Sequence, residues 1–105
     1  METDKRGSRF LPMTETMCYI LLSLRKPRHG YGIILHVRKI TRDRLKLGAG
    51  TIYQTLRKLE AANLIIPVRE EDRKKLYVIT RTGRRLLREE TDRIAEIYNN
   101  LRIER

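Results

Sequence analysis

The chain has 105 residues, 24 Lys and Arg against 13 Asp and Glu, and a formal net charge of +11. That length fits one domain of roughly 100–150 residues and leaves no room for a catalytic domain beside a binding one, while so basic a balance selects a polyanionic partner. The single cysteine, Cys18, excludes a disulfide framework and a cysteine-rich zinc site, and no apolar run approaches the about 20 residues of a membrane span.

Residues 1–9 are polar and read as a disordered arm. No apolar stretch follows Met1, so a secretory signal is not expected, and the expected location is cytoplasmic and nucleoid-associated. Pro12 suits the first turn of a helix. Behind it Met13, Met17, Ile20, Leu21 and Leu24 form one apolar stripe, giving a first helix that ends before Pro27. His29 and Gly30 turn the chain into a second helix, marked by Ile33 or Ile34, Val37 and Ile40 and ending near Thr41. Leu45-Lys46-Leu47 is a short extended piece. Ile52, Leu56 and Leu59 mark a third helix, opened either by a Thr51–Gln54 capping box or nearer Gly48. Asn63 suits its end, because Asn tolerates the left-handed conformation of a helix stop.

Leu64–Val68 and Leu76–Ile79 are rich in strand formers, and the polar run Glu70–Lys74 between them reads as a hairpin tip. Pro67 has no N–H, so its nitrogen is expected to face away from the partner strand. Thr80 begins a long last helix in which Leu87, Thr91, Ile94, Tyr98 and Leu101 keep the a/d rhythm of a coiled-coil seam.

This order gives a mainly α fold with a small β-hairpin. Residues 10–80 have the plan of a winged helix-turn-helix, and residues 81–105 form a long C-terminal dimerisation helix. In that plan the third helix enters a major groove and the hairpin reaches along the backbone or into the minor groove. The charge map agrees. Residues 25–58 hold ten Lys and Arg against Asp43 alone, and residues 73–88 hold seven against no acid. Residues 59–72 and 89–105 are net acidic.

Three stretches resemble the PadR family of transcriptional regulators: His29-Gly30-Tyr31-Gly32-Ile33, the run Gly50–Glu60 that begins Gly-Thr-Ile-Tyr, and Arg73–Gly83 with its Tyr77-Val78-Ile79-Thr80 core. The resemblance runs from about residue 11 to 100 and is to the short subfamily, with a single C-terminal helix. It implies a dimeric repressor, released by a small molecule or a stress signal. Two departures stand out. Leu47-Gly48-Ala49 replace the Pro-Ser that often precedes the Gly-Thr-aromatic motif. The chain also has no tryptophan, whereas the multidrug-responsive members that it resembles stack planar ligands on one.

Thr51, Tyr53, Gln54, Arg57 and Lys58 lie off the core stripe of the third helix and are the expected DNA-binding residues, with Arg73, Lys74 and Lys75 as a basic wing. Hydroxyls reach phosphates, Gln pairs with adenine, and Arg or Lys with guanine. The plainer readings are a solvated helix face and a lysine-guarded strand edge; fold order, charge and resemblance together favour DNA. Leu87, Thr91, Ile94, Tyr98 and Leu101 are the expected dimerisation residues. Met13, Met17, Ile94 and Tyr98 of two protomers are expected to form a packed dimer core, with a space for an apolar or cationic effector as the alternative.

No catalytic grouping is legible, so an enzyme is not expected. His29 and His36 have no completing ligand at metal spacing, so neither metal nor cofactor is expected. Cys18 reads as a small core hydrophobe. The expected partners are double-stranded DNA carrying an inverted-repeat operator and a second copy of the chain, with no membrane. A non-specific nucleic-acid-binding protein and a winged-helix protein-interaction module are the alternatives.

Overall fold

A computed structural model describes residues 8–104. A single 3-10 turn, Ser8–Phe10, precedes helices α1 (Glu15–Ser23), α2 (Gly30–Ile40) and α3 (Ala49–Ala61). Strands β1 (Ile65–Glu71) and β2 (Lys74–Ile79) pair as an antiparallel hairpin, and α4 (Arg81–Ile103) closes the chain. This is the winged arrangement of three helices, hairpin and long helix. The expected disordered arm lies outside the described residues except for Ser8 and Arg9, which belong to the 3-10 turn.

The apolar stripes of the helices meet in one core. Ile20, Leu21, Leu24, Ile33, Val37, Ile52, Leu56, Leu59, Leu64 and Ile65 are all buried, each side chain contributing roughly 1.5–3 kcal/mol. Thr14, rather than Pro12, starts α1, because its hydroxyl accepts the Met17 N–H at 3.1 Å and satisfies a donor that the helix cannot. His29 does the same for α2, its Nδ1 accepting from the Gly32 N–H at 3.1 Å. Leu45-Lys46-Leu47 stays irregular and joins no sheet. The backbone beside β2 is instead Arg28, whose N–H and carbonyl both bond Tyr77, at 3.1 and 2.9 Å.

Gly48 caps α3 with no side-chain bond, which puts Thr51 inside the first turn, so the Thr51–Gln54 capping box does not form. The helix ends as expected on Asn63, at φ 61°. The Leu64 N–H reaches back to the Leu59 carbonyl at 2.9 Å and the Asn63 N–H to Glu60 at 3.0 Å, which consumes the last carbonyls of the helix. The hairpin is longer than its apolar residues suggest. Glu70 pairs with Lys75 and Glu71 with Lys74, so the tip is only Asp72-Arg73, at φ 50° and 65°. Positive φ at both central residues matches the right-handed twist of the strands. The register shifts between Pro67 and Arg69, leaving Val68 unpaired next to the residue with no N–H to give.

Thr80 roots α4. Its hydroxyl accepts the Gly83 N–H at 3.1 Å and donates to the Asn63 carbonyl at 2.9 Å, and its own N–H donates to the Leu64 carbonyl at 2.9 Å. Leu86 and Leu87 are buried in this domain. Leu87 therefore does not wait for a partner chain, as the heptad rhythm suggests, because α4 lies on α1 for its first turns. Farther out Ile94, Tyr98 and Leu101 are 47, 58 and 66% exposed.

Gly83 is the tightest point of this root. A Cβ there would stand 2.7 Å from Ile79 Cγ1 and closer still to the Leu64 carbonyl oxygen. Helix propensity alone would make Gly83→Ala a gain of about 1 kcal/mol. Overpacking reverses the sign, and a loss of about 1–3 kcal/mol in urea denaturation is expected.

Candidate nucleic-acid interface

Helix α3 turns Ile52, Leu56 and Leu59 inward, which leaves Thr51, Tyr53, Gln54, Arg57 and Lys58 exposed on its other side. Arg73, Lys74 and Lys75 are exposed at the hairpin tip. A cleft of about 270 Å³ brings part of the two sets together. Tyr53 lines it from α3, Arg73, Lys74 and Lys75 from the wing, and His29 and Gly30 from the start of α2. Thr51, Gln54, Arg57 and Lys58 lie on the same helix outside the cleft walls.

Tyr53 serves two purposes. It is 46% exposed, yet its ring lies across Gly30, where a Cβ would come within 2.8 Å of Cε1 and 2.9 Å of Cζ. Only glycine permits this approach. The ring is thereby fixed beside the N-terminus of α2, whose dipole adds partial positive charge to that of the three cations. Among the described residues no acid lines the cleft. Glu71 is engaged by Arg69 at 2.8 Å, and Glu70 stands opposite Lys75 in the ladder. Such a surface offers donors and cations to an anion with planar or tetrahedral oxygens.

Arg28 organises the root of the wing, and nothing in the periodicity singles it out. Besides its backbone pairing with Tyr77, its guanidinium donates to the Ser23 carbonyl and lies 3.3 Å from His36 Nδ1. Burial, and then the charges of Arg28, Lys39 and Lys26, hold the His36 imidazole below its usual range. Tyr77 is pushed up, first by burial and then by Glu60. His29 and His36 thus have separate tasks, one capping α2 and the other facing Arg28.

A larger cavity, about 480 Å³, lies between α1 and α4 of a single chain. Met13 and Ile94 line it. Met17 and Tyr98 do not: Met17 is half-buried beside the core, and Tyr98 lies a turn beyond Ile94 in the open. Leu22, Leu87, Cys18 and Glu90 take their places. Glu90 is buried and accepts from Arg93 Nε at 2.8 Å. Burial, and then the Glu90 charge, push the Cys18 thiol up, which suits an inert thiol.

The family model described as the transcriptional regulator PadR-like family matches residues 20–89, from α1 through the first turns of α4. The chain belongs to this PadR-like family. The fold is that of a PadR family transcriptional regulator from Eggerthella lenta, with a TM-score of 0.71 at 24% identity over 82% of this chain and 77% of that one. Bacillus subtilis PadR in complex with operator DNA is similar at 26% identity and a TM-score of 0.63, over 74% of this chain and 47% of that one. A Streptomyces fradiae protein of 37.1 kDa from transposon TN4556, itself uncharacterised, is 35% identical over 71 residues. Those residues are 68% of this PadR-like chain and only 20% of that relative, so the chain spans about a fifth of its length.

Burial of His36, together with its contact with Arg28, makes this PadR-like fold sensitive to acid. With the folded-state value held below the ordinary 6.5, the unfolded chain binds the proton more readily. Stability from this group is fully present above that value and is lost as pH falls from there through the depressed folded value. The melting temperature is expected to drop over this window, and His36→Asn to flatten the drop in thermal scans at several pH values.

Proposed function

We propose that the chain is a dimeric, sequence-specific DNA-binding transcriptional repressor that occupies an inverted-repeat operator and is released by a small molecule. The observation that carries this reading is the cleft, lined by no acid among the described residues, that joins Tyr53 of α3 to Arg73, Lys74 and Lys75 of the wing. Membership of the PadR-like family supports regulation of transcription, and the similar Bacillus subtilis PadR in complex with operator DNA supports duplex DNA as the anion.

In this reading the exposed Gln54, Arg57 and Lys58 reach base edges in a major groove, while Thr51, Tyr53 and the wing hold phosphates. The chemistry required is recognition alone, so no residue is assigned a catalytic role and no cofactor is invoked. Among the described residues no helix is long and apolar enough to cross a membrane. The cytoplasm, on the nucleoid, is the location this function requires.

Dimerisation rests on α4. Ile94, Ile97, Tyr98, Leu101 and Ile103 are all exposed beyond Thr91, whose hydroxyl turns back to the Leu87 carbonyl. A second copy covering this stripe would set two α3 helices on successive major grooves, about 34 Å apart. Bound there, the dimer excludes polymerase.

The test is competition between an operator taken from DNA upstream of the chain's own gene and random duplex. Gln54→Ala is expected to change base preference, costing roughly 1–3 kcal/mol at one position. Lys74→Ala is expected to weaken all sequences alike and to reduce the salt slope by about one unit per lost phosphate contact. Equal effects on operator and random DNA would point instead to non-specific binding.

Ile94→Asp places a charge in the exposed stripe. Sedimentation is expected to show the mass halved while circular dichroism barely changes, since the winged core does not depend on that residue. Operator affinity is expected to fall with the lost bivalency.

A further inference from the structure

The cleft between α3 and the wing has walls of two kinds. His29, Tyr53 and Tyr77 supply rings, and Arg73, Lys74 and Lys75 supply cations. Among the described residues no aliphatic side chain lines it, whereas Met13, Leu22, Leu87 and Ile94 line the larger cavity between α1 and α4. A bare phosphate needs the cations alone. The rings call for something flat beside it.

Each ring is held before a ligand arrives. Tyr53 lies across Gly30 and is still 46% exposed, so its ring is fixed with surface left over. His29 is fixed by the Gly32 N–H, which donates to its Nδ1 at 3.1 Å. Tyr77 is fixed at the backbone, where its N–H and carbonyl both pair with Arg28. A preformed platform spares the ordering cost that binding otherwise carries. The cations are available too. Among the described residues Arg73, Lys74 and Lys75 form no ion pair, and Glu71, opposite Lys74, is taken by Arg69.

A duplex would use the cations and leave the rings idle, because paired bases turn only their edges to the grooves. An unpaired nucleotide offers a base face together with its phosphates. The size agrees. The cleft's volume of about 270 Å³ lies just below the roughly 300–1,000 Å³ of sites that enclose a drug-sized ligand. It suits one base, with a phosphate chain lying over the exposed cations.

We propose that this cleft binds a free nucleoside polyphosphate, its base stacked on Tyr53 and its phosphates on Arg73, Lys74 and Lys75. The small molecule that releases DNA then has a chemical class, and it acts by occupying the cations that a duplex needs. That consequence rests on the DNA-binding reading above; nucleotide binding itself does not.

The test is calorimetric titration of the whole protein, without DNA or divalent cations, with ATP, GTP, CTP and UTP. Inorganic tripolyphosphate keeps the phosphates and lacks the base. A short oligothymidylate distinguishes a free nucleotide from a stretch of single strand. At least one nucleotide is expected to bind about tenfold more tightly than tripolyphosphate, the scale of one base–aromatic stack. This comparison needs no variant to fold. Tyr53→Leu keeps bulk over Gly30 without a ring and is expected to bring nucleotide affinity down to that of tripolyphosphate. Tyr53→Phe keeps the ring and is expected to keep the preference. Lys74→Gln/Lys75→Gln is expected to weaken nucleotide and tripolyphosphate alike. Arg84→Gln/Arg88→Gln removes the same charge from exposed positions of α4 outside the cleft, and is expected to weaken neither.

Absence of nucleotide binding, equal affinity for tripolyphosphate, binding of the single strand alone, or equal loss in the α4 variant would overturn the proposal. So would a Tyr53→Leu variant that keeps the nucleotide preference. Duplex binding by the unaltered protein is measured separately, so either reading can fail alone.

Discussion

The Leu64 carbonyl is the point at which the functional parts of the molecule are held to one another. The Leu64 N–H ends α3, its carbonyl accepts from Thr80, and the first turn of α4 passes over the same oxygen at Gly83. Helix α3, the hairpin and the last helix therefore share one backbone anchor. The arrangement is insensitive to side-chain identity at residue 64 beyond the need to fill the core, and it fixes the root of the wing relative to α3. It also makes the direction in which α4 leaves the domain a property of main-chain bonding rather than of surface packing.

A second strap acts on the other edge of the hairpin. Arg28 pairs with Tyr77 through the backbone and reaches Ser23 and His36 through its side chain. The wing is thus tied to the linker before α2, and α2 is tied to α3 by the Gly30–Tyr53 approach. The cleft between them is bounded by the Arg28–Tyr77 pairing and the Gly30–Tyr53 approach. That explains how a domain this small presents cations from two separate elements in one place.

Much of this was legible in the sequence. The apolar stripes of α2, α3 and α4 gave those helices directly, and Asn63 marked a stop because few other residues tolerate its conformation. The outward residues of α3 followed from the inward ones. The start of α1 was not legible, since Pro12 and Thr14 both signal a helix beginning and only the hydrogen bond to Met17 decides between them. The hairpin looked too short because Glu70, Glu71, Lys74 and Lys75 have the composition of a loop; their pairing across the ladder is visible only in three dimensions. The heptad rhythm of α4 could not tell Leu87, covered by its own domain, from Ile94, which is exposed. Arg28 and the buried Glu90 carry no periodic signal, because their partners are set by tertiary contacts.

The wing has a mechanical property that follows from its pairing. Leu76 and Ile79 are buried on β2, but on β1 only Ile65 is, so the outer half of the ribbon has no core beneath it. It is a short polyampholyte ribbon, held by main-chain bonds, with acids opposite lysines in the ladder and Glu71 paired with Arg69. Added salt screens those intra-ribbon attractions over about the same range as it screens lysine–phosphate attraction. Stiffness and adhesion would then soften together. In any complex where this ribbon meets phosphates, the logarithmic salt slope would report both, and a contact count taken from it would exceed the number of phosphates touched.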